Sequence, residues 1–164
     1  MTAPDLAERV QRIEDRFAIQ DLAIQYCIAT DLGDRDALRA LFTDDARAVG
    51  VTGGDEVVDL LHSVRSGYGR TIHTPQAHLI EFADADHATG LILSHAELDI
   101  KGRSVQTAIR YHDEYERCAD GKWRFAARTL KFGYALPVEE MAESMTADDP
   151  VRWPGTDPAP ADDF

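Results

Sequence analysis

The sequence predicts an α+β fold in which helices come first and an antiparallel sheet follows. Three observations carry this. Residues 5–31 place apolar side chains at helical steps, residues 34–69 hold two more capped helical segments, and from His73 onward β-rich runs alternate with the turn-forming stretches DADH, KGR and ADGK. Helices followed by consecutive strands, without βαβ alternation, argue against a parallel sheet.

The first helix is expected over residues 5–31, with Leu6, Val10, Ile13, Phe17 and Ile24 as its core-facing stripe. From Phe17 to Ala29 it is apolar on more than one face, so it needs cover from a sheet or a partner subunit. Asp31 falls seven residues after Ile24, on the same stripe, and near a helix C-terminus, where the macrodipole disfavours negative charge. One residue therefore breaks two local rules, which marks it as a functional or strained site.

LGDRDALRALFTDDA then reads as a short helix capped by Asp34 or Asp36, with Leu38, Leu41 and Phe42 inward. RAVGVTGG reads as a short strand and turn. DEVVDLLHSVRSGYG reads as a third helix, entered at Asp55 and broken by Gly67 and Gly69. QAHLIEFAD, HATGLILSHAELDI, SVQTAIRYHDEYERC and WRFAARTLKFGYAL are the strands of a meander. A curved, mostly antiparallel sheet wrapping a cavity, with three N-terminal helices packed on it, is a single-domain cone whose mouth offers a ligand pocket. The cone is expected over residues 1–136. Residues 137–164 form an extension, with a short helix at VEEMAESM and then an extended arm whose Trp153 is expected to cover a pocket of its own or a neighbouring subunit.

The composition narrows the function. The chain has 164 residues, 44% hydrophobic and 29% charged, and 30 acids against 17 Lys and Arg give a net charge of −13. That balance argues against nucleic acid and anionic membranes as partners. No apolar run reaches membrane-spanning length, and the N-terminal stretch is charged and amphipathic. Two cysteines, Cys27 and Cys118, make no disulfide framework and suit a reducing cytoplasm. GxGxxG, GxxxxGK[ST], GxSxG and HExxH are all absent, and the six histidines show no metal-ligand spacing, so neither cofactor nor metal is expected.

In RTIHTPQAHLIEF, His73 stands where the loop after the third helix meets the first long strand, at the rim of the cup. A carboxylate on one imidazole nitrogen fixes the tautomer and leaves the other nitrogen as a general base, so His73 is the partner that would explain Asp31. Tyr26 lies five residues before Asp31, about 140° round the helix, and flanks the same cavity. By strand alternation Ile109 and Tyr111 share one face, while His95 lies opposite Ser94 and His78 and His112 point away from the pocket.

RFAIQDLAIQYCIATDLGDRDALRALFTDDA, IHTPQAHLIEF and YHDEYERCADGKWRFAAR resemble segments of the SnoaL-like, scytalone-dehydratase-like branch of the nuclear-transport-factor-two cone fold. Within it the pattern is nearest the hexachlorocyclohexane dehydrochlorinases, and Tyr26 with Asp31 is similar to a pair in bile-acid dehydratases. The resemblance implies Asp31 and His73 as a base dyad, Arg128 as a positive stabiliser of a leaving group or oxyanion, and Tyr26 as a hydrogen-bond donor. Tyr111, Ile109, Ser94 and Phe132 are the expected substrate-binding positions. Two departures stand out: the dehydrochlorinases carry lysine where this chain has Tyr26, and RAVGV lacks the second tyrosine of the dehydratases. A cofactor-independent lyase of dehydratase type, on a small, apolar, cyclic substrate, is the expected function. The alternatives are an isomerase or cyclase, or a structural subunit of a ring-hydroxylating dioxygenase. A homo-oligomer is expected, a trimer through the sheet's outer face or else a dimer.

Overall fold

The computed structural model describes residues 5–143 and 146–160. Three helices pack on one curved six-stranded sheet. Helix α1 (Leu6–Leu32) is followed by α2 (Arg35–Arg39), β1 (Phe42–Ala48), β2 (Val51–Thr52) and α3 (Gly54–Ser66). Strands β3 (Thr71–Phe82), β4 (His87–Ile100), β5 (Arg103–Arg117) and β6 (Trp123–Pro137) form the expected antiparallel meander. The sheet order is β2-β1-β6-β5-β4-β3, with β1 running parallel to β6. A 3-10 turn covers Val138–Glu143. Ser144, Met145 and residues 161–164 of the anticipated extension lie outside the described residues. Among the described residues no helix is long and apolar enough to cross a membrane.

Local chemistry sets the helix ends. Asp5 and Glu8 exchange hydrogen bonds in a capping box at the start of α1, and Gly33 ends it at φ 66°, a left-handed conformation that glycine adopts without a Cβ clash. Asp34 caps α2 through the Ala37 N–H. The segment FTDDA is strand β1, where the sequence suggested helix. The Phe125 N–H donates to Leu41 O and the chain joins the edge of β6, so tertiary pairing overrides local propensity.

The expected core stripe of α1 proves to be its outer face. Leu6, Val10, Ile13, Phe17 and Ile24 are 45–72% exposed, whereas Ile19, Leu22, Ala23, Tyr26, Cys27 and Ala29 are at most 6% exposed. With apolar residues on two faces, the periodicity did not choose between them. The smaller Ala23, Cys27 and Ala29 let the helix lie close to the sheet, and a buried acid fixes its rotation. Asp15 accepts from Trp123 Nε1 (3.2 Å) and Gln11 Nε2 (3.0 Å) and pairs with Arg117 (2.5 Å). Burial alone would raise the Asp15 pKa, but these bonds hold it below the ordinary value.

Strand bulges decide which side chains face inward. A register shift between Pro75 and Ala77 turns His78 to the same side as His73, reversing the simple alternation that placed His78 outside. His78 Nε2 meets the Tyr115 hydroxyl at 2.9 Å, and that hydroxyl donates to Asp113 Oδ2 at 2.8 Å. The His78 ring must therefore carry its proton on Nε2, leaving a buried Nδ1 without a partner. Gly90 makes room for this contact, because a Cβ there would lie 2.8 Å from Tyr115 Cε2 and 2.9 Å from His78 Nε2. A second shift, at Ala126, brings both Phe125 and Arg128 to the inner face of β6.

Burial pushes the His78 pKa down to about 4 from its ordinary 6.5. Between those values the unfolded chain binds more protons than the folded one, so stability rises with pH across that window. Urea unfolding from pH 4 to 6.5 will show this slope, and His78→Gln will flatten it.

Candidate active site

The site forms where the C-terminus of α1 meets the start of β3. Asp31 accepts three hydrogen bonds there: from the Thr71 hydroxyl at 2.7 Å, from the His73 backbone N–H at 2.9 Å, and from His73 Nδ1 at 2.6 Å. Burial works to raise the Asp31 pKa, but the bonds from the His73 ring, the His73 backbone and Thr71 outweigh it and hold the carboxyl below its ordinary value. The helix end is neutralised from outside as well. Arg65 on α3 donates to Thr30 O (3.0 Å) and Asp31 O (2.9 Å), placing a cation on the terminal carbonyls of α1. The acid at this helix end thus has a full set of partners.

With Nδ1 engaged by a carboxylate, Nε2 is the ring nitrogen left for proton transfer. His73 borders a mostly apolar cavity of about 110 Å³. Tyr26 and Thr30 line it from α1, Leu61, Val64 and Arg65 from α3, and Tyr68 from the loop that follows. The sheet contributes Leu98, Ile109, Tyr111, Leu130 and Phe132. Wider depressions of about 790 and 400 Å³ lie elsewhere, among Ile72, Glu97 and Gln106 and among Leu79, Thr89 and Glu114. They contain none of the dyad.

The structure brings most of the sequence candidates together. His73, Tyr26, Tyr111, Ile109 and Phe132 all border the cavity, with Asp31 directly behind His73. Two candidates stand back from it. Ser94 faces inward, but its hydroxyl donates to Thr74 O at 3.1 Å, and it is not part of the cavity wall. Arg128 is 2% exposed and grips Asp113 with two 2.8 Å bonds, from Nε to Oδ1 and from Nη2 to Oδ2. Its guanidinium lies 4.1 Å from the ring centre of Tyr26, 4.5 Å from Tyr111 and 4.0 Å from Phe125. It therefore sits behind the cavity wall and acts on the cavity through two aromatic rings. Burial works to lower the Arg128 pKa, but the Asp113 carboxylate outweighs it and holds the guanidinium above its ordinary value. Burial raises the Tyr26 pKa, and the Arg128 charge opposes that rise.

The α3 wall was missed by the sequence reading, whereas the tail with Trp153 was expected to cover a pocket, in this subunit or a neighbouring one. Val57, Val58, Leu61, Val64 and Arg65 fall at helical steps on α3, a pattern that marks an inward face without saying that it borders a cavity. Trp153 comes from the extension. Its ring packs on Phe132 (5.5 Å between centres) and Tyr68 (6.0 Å). The strap is held by Ala135 N–H donating to Val151 O (2.8 Å) and by Arg152 Nη1 donating to Phe132 O (2.6 Å). Only the lone tryptophan in a Pro- and Asp-rich tail hinted at this.

A family model described as a SnoaL-like domain matches residues 11–129, which include Asp31, His73 and Arg128. The chain belongs to the SnoaL-like family. It is 31% identical over 137 residues to the gamma-hexachlorocyclohexane dehydrochlorinase of Sphingobium indicum, covering 79% of this chain and 87% of that protein. The crystal structure of LinA superposes with a TM-score of 0.73 at 29% identity, covering 80% of this chain and 95% of that one. A putative scytalone dehydratase from Novosphingobium aromaticivorans gives a TM-score of 0.72 at 20% identity, over 79% of this chain and 91% of that one, a likeness of fold. Membership of this family, with dehydrochlorinase relatives, supports an enzyme that acts on a small molecule by a lyase-like elimination. The match ends before Trp153, so the roof of the cavity is outside the shared domain.

Asp31→Asn removes a charged acceptor of three bonds, which costs about 1–3 kcal/mol of stability at neutral pH. A carboxyl with a lowered folded pKa stabilises fully above its unfolded value and loses that contribution as pH falls through the folded one. Acid unfolding followed by circular dichroism will therefore show a gentler decline between pH 4 and pH 2 in Asp31→Asn than in wild type.

Proposed function

We propose that the protein is a cofactor-independent dehydratase acting on a small, largely apolar cyclic alcohol that carries a carbonyl group. The observation that carries this is the 2.6 Å contact between His73 Nδ1 and Asp31, with the imidazole at the wall of an apolar cavity. His73 Nε2 takes the proton from the carbon next to the carbonyl. The C–H electron pair becomes the new C=C bond as the C–O bond on the adjacent carbon breaks, and the hydroxyl leaves as water with the proton that His73 accepted. Asp31 stabilises the imidazolium between the two transfers.

Tyr26 supplies the donor to the substrate oxygen, with the Arg128 cation behind its ring favouring a phenol that shares its proton. Thr30, on the same helix wall, has a buried hydroxyl close enough to Tyr26 to oppose the rise of the phenol pKa and with no geometrically formed hydrogen bond among the described residues, which suits a polar atom on the substrate. The dehydrochlorinase relatives support elimination as the reaction class. Their likeness to a lysine-bearing pattern at the Tyr26 position, read from sequence, favours a different leaving group here. A phenol matches an oxygen leaving group by hydrogen bonding, and the mostly apolar wall favours a ring with few polar substituents.

Incubation with a panel of cyclic β-hydroxy ketones, followed by mass spectrometry, will detect loss of water from at least one member. His73→Ala will lower kcat by about 10²–10⁴-fold, and Tyr26→Phe will lower it less. Product of unchanged mass would instead favour the isomerase reading, and turnover unaffected by His73→Ala would contradict both. Trp153→Ala opens the roof, and it will raise KM more than it lowers kcat, because the indole contacts the cavity and not the reacting proton.

A further inference from the structure

We propose that α1 pairs with α1 of a second copy, in parallel and in register, through the apolar stripe it turns away from its own sheet. Leu6, Val10, Ile13, Phe17 and Ile24 alternate at steps of four and three residues, with Gln20 completing the series. These are the a and d positions of a coiled-coil seam. The side chains that hold α1 to its own domain, Asp15, Ile19, Leu22 and Tyr26, lie on the opposite side of the helix. Five large apolar side chains, each about half exposed or more, are an unusual load for the surface of a monomer. The seam ends at Ile24, because the next d position, Cys27, is buried in the chain's own core, while the exposed Ile28 and Leu32 lie beside it and widen the apolar face.

The flanking charges choose both the partner and the direction. Arg9 and Arg16 occupy one edge of the seam, and Glu14 and Asp21 the other, all four exposed. In a parallel pair each g position faces the e position five residues later on the partner. Arg9 then meets Glu14, and Arg16 meets Asp21, in both directions across the two-fold axis. An antiparallel pair would set basic edge against basic edge and acidic against acidic. Among the described residues none of the four forms an ion pair within the chain, but the Arg16 guanidinium donates to Ile80 O at 3.2 Å and lies 5.5 Å from the Phe82 ring centre, so the Arg9–Glu14 pair carries the choice of direction. Gln20, at a d position, meets its own copy and bonds it amide to amide, which penalises a slipped register. An anionic membrane is the poorer occupant, given the acidic edge and the net charge of −13. This surface is separate from the sheet's outer face.

Sedimentation of the full chain will give an assembly with an even number of copies. Ile13→Glu with Phe17→Glu will halve its mass, with circular dichroism unchanged. Arg9→Glu alone will weaken the pairing by about tenfold, and adding Glu14→Arg will restore it. Gln20→Cys will form an inter-chain disulfide on mild oxidation, as only a parallel in-register pair allows. A mass unaffected by the double Glu variant would overturn the proposal. So would failure of the Arg9/Glu14 exchange to rescue pairing, or a stripe that binds phosphatidylcholine–phosphatidylglycerol vesicles without self-association.

Discussion

One carboxylate holds the working end of this protein together. Asp31 closes α1 against β3 by accepting from Thr71, from the His73 backbone and from the His73 ring. The Thr71 hydroxyl and the His73 backbone N–H set where the acid sits, and the acid in turn sets the orientation and tautomer of the imidazole. Structure and chemistry share one group, so the site is positioned by the same bonds that dock the helix. Arg65 completes the arrangement by capping the carbonyls of the same turn. Asp15 is the counterpart at the other end of α1, tied to Arg117 and Trp123. Between these two acids the helix is fixed in rotation, and Tyr26 is carried to the cavity wall.

Behind that wall lies a second electrostatic layer. Arg128 is buried in a cage of Tyr26, Tyr111 and Phe125, and its buried charge is compensated by Asp113, which accepts two of its hydrogen bonds. Tyr115 donates to the same carboxylate and receives from His78, so the series runs from the cavity's aromatic rings to the far end of β3. The cation never reaches the cavity directly. It biases the phenols that do, in a setting dry enough for one charge to matter at that distance.

Much of this was legible in the sequence, for uneven reasons. The α+β order, the four long strands and the pocket followed from patterning and turn residues. The His73–Asp31 contact was anticipated from an acid at a helix C-terminus and a histidine at a strand entry, although the stripe taken to make Asp31 a core position faces outward. The face of α1 was not legible, since two apolar stripes compete and only tertiary partners such as Arg117 decide between them. Strand parity failed at His78, because a bulge near Pro75 adds a residue that no local pattern announced. Arg128 drew notice only through family resemblance, and its partner Asp113 drew none, as one acid among 30. Trp153 sits outside the family match, where neither periodicity nor resemblance gives guidance.

The most direct measurement is the protonation pattern of the His73 ring, read by long-range proton–nitrogen correlation NMR at neutral pH with nitrogen-15 histidine. In the neutral form of the ring the proton will sit on Nδ1, held by Asp31, with a bare Nε2, and that preference will be lost in Asp31→Asn. A neutral ring protonated on Nε2 in the wild-type protein, or a tautomer indifferent to Asp31, would contradict the account.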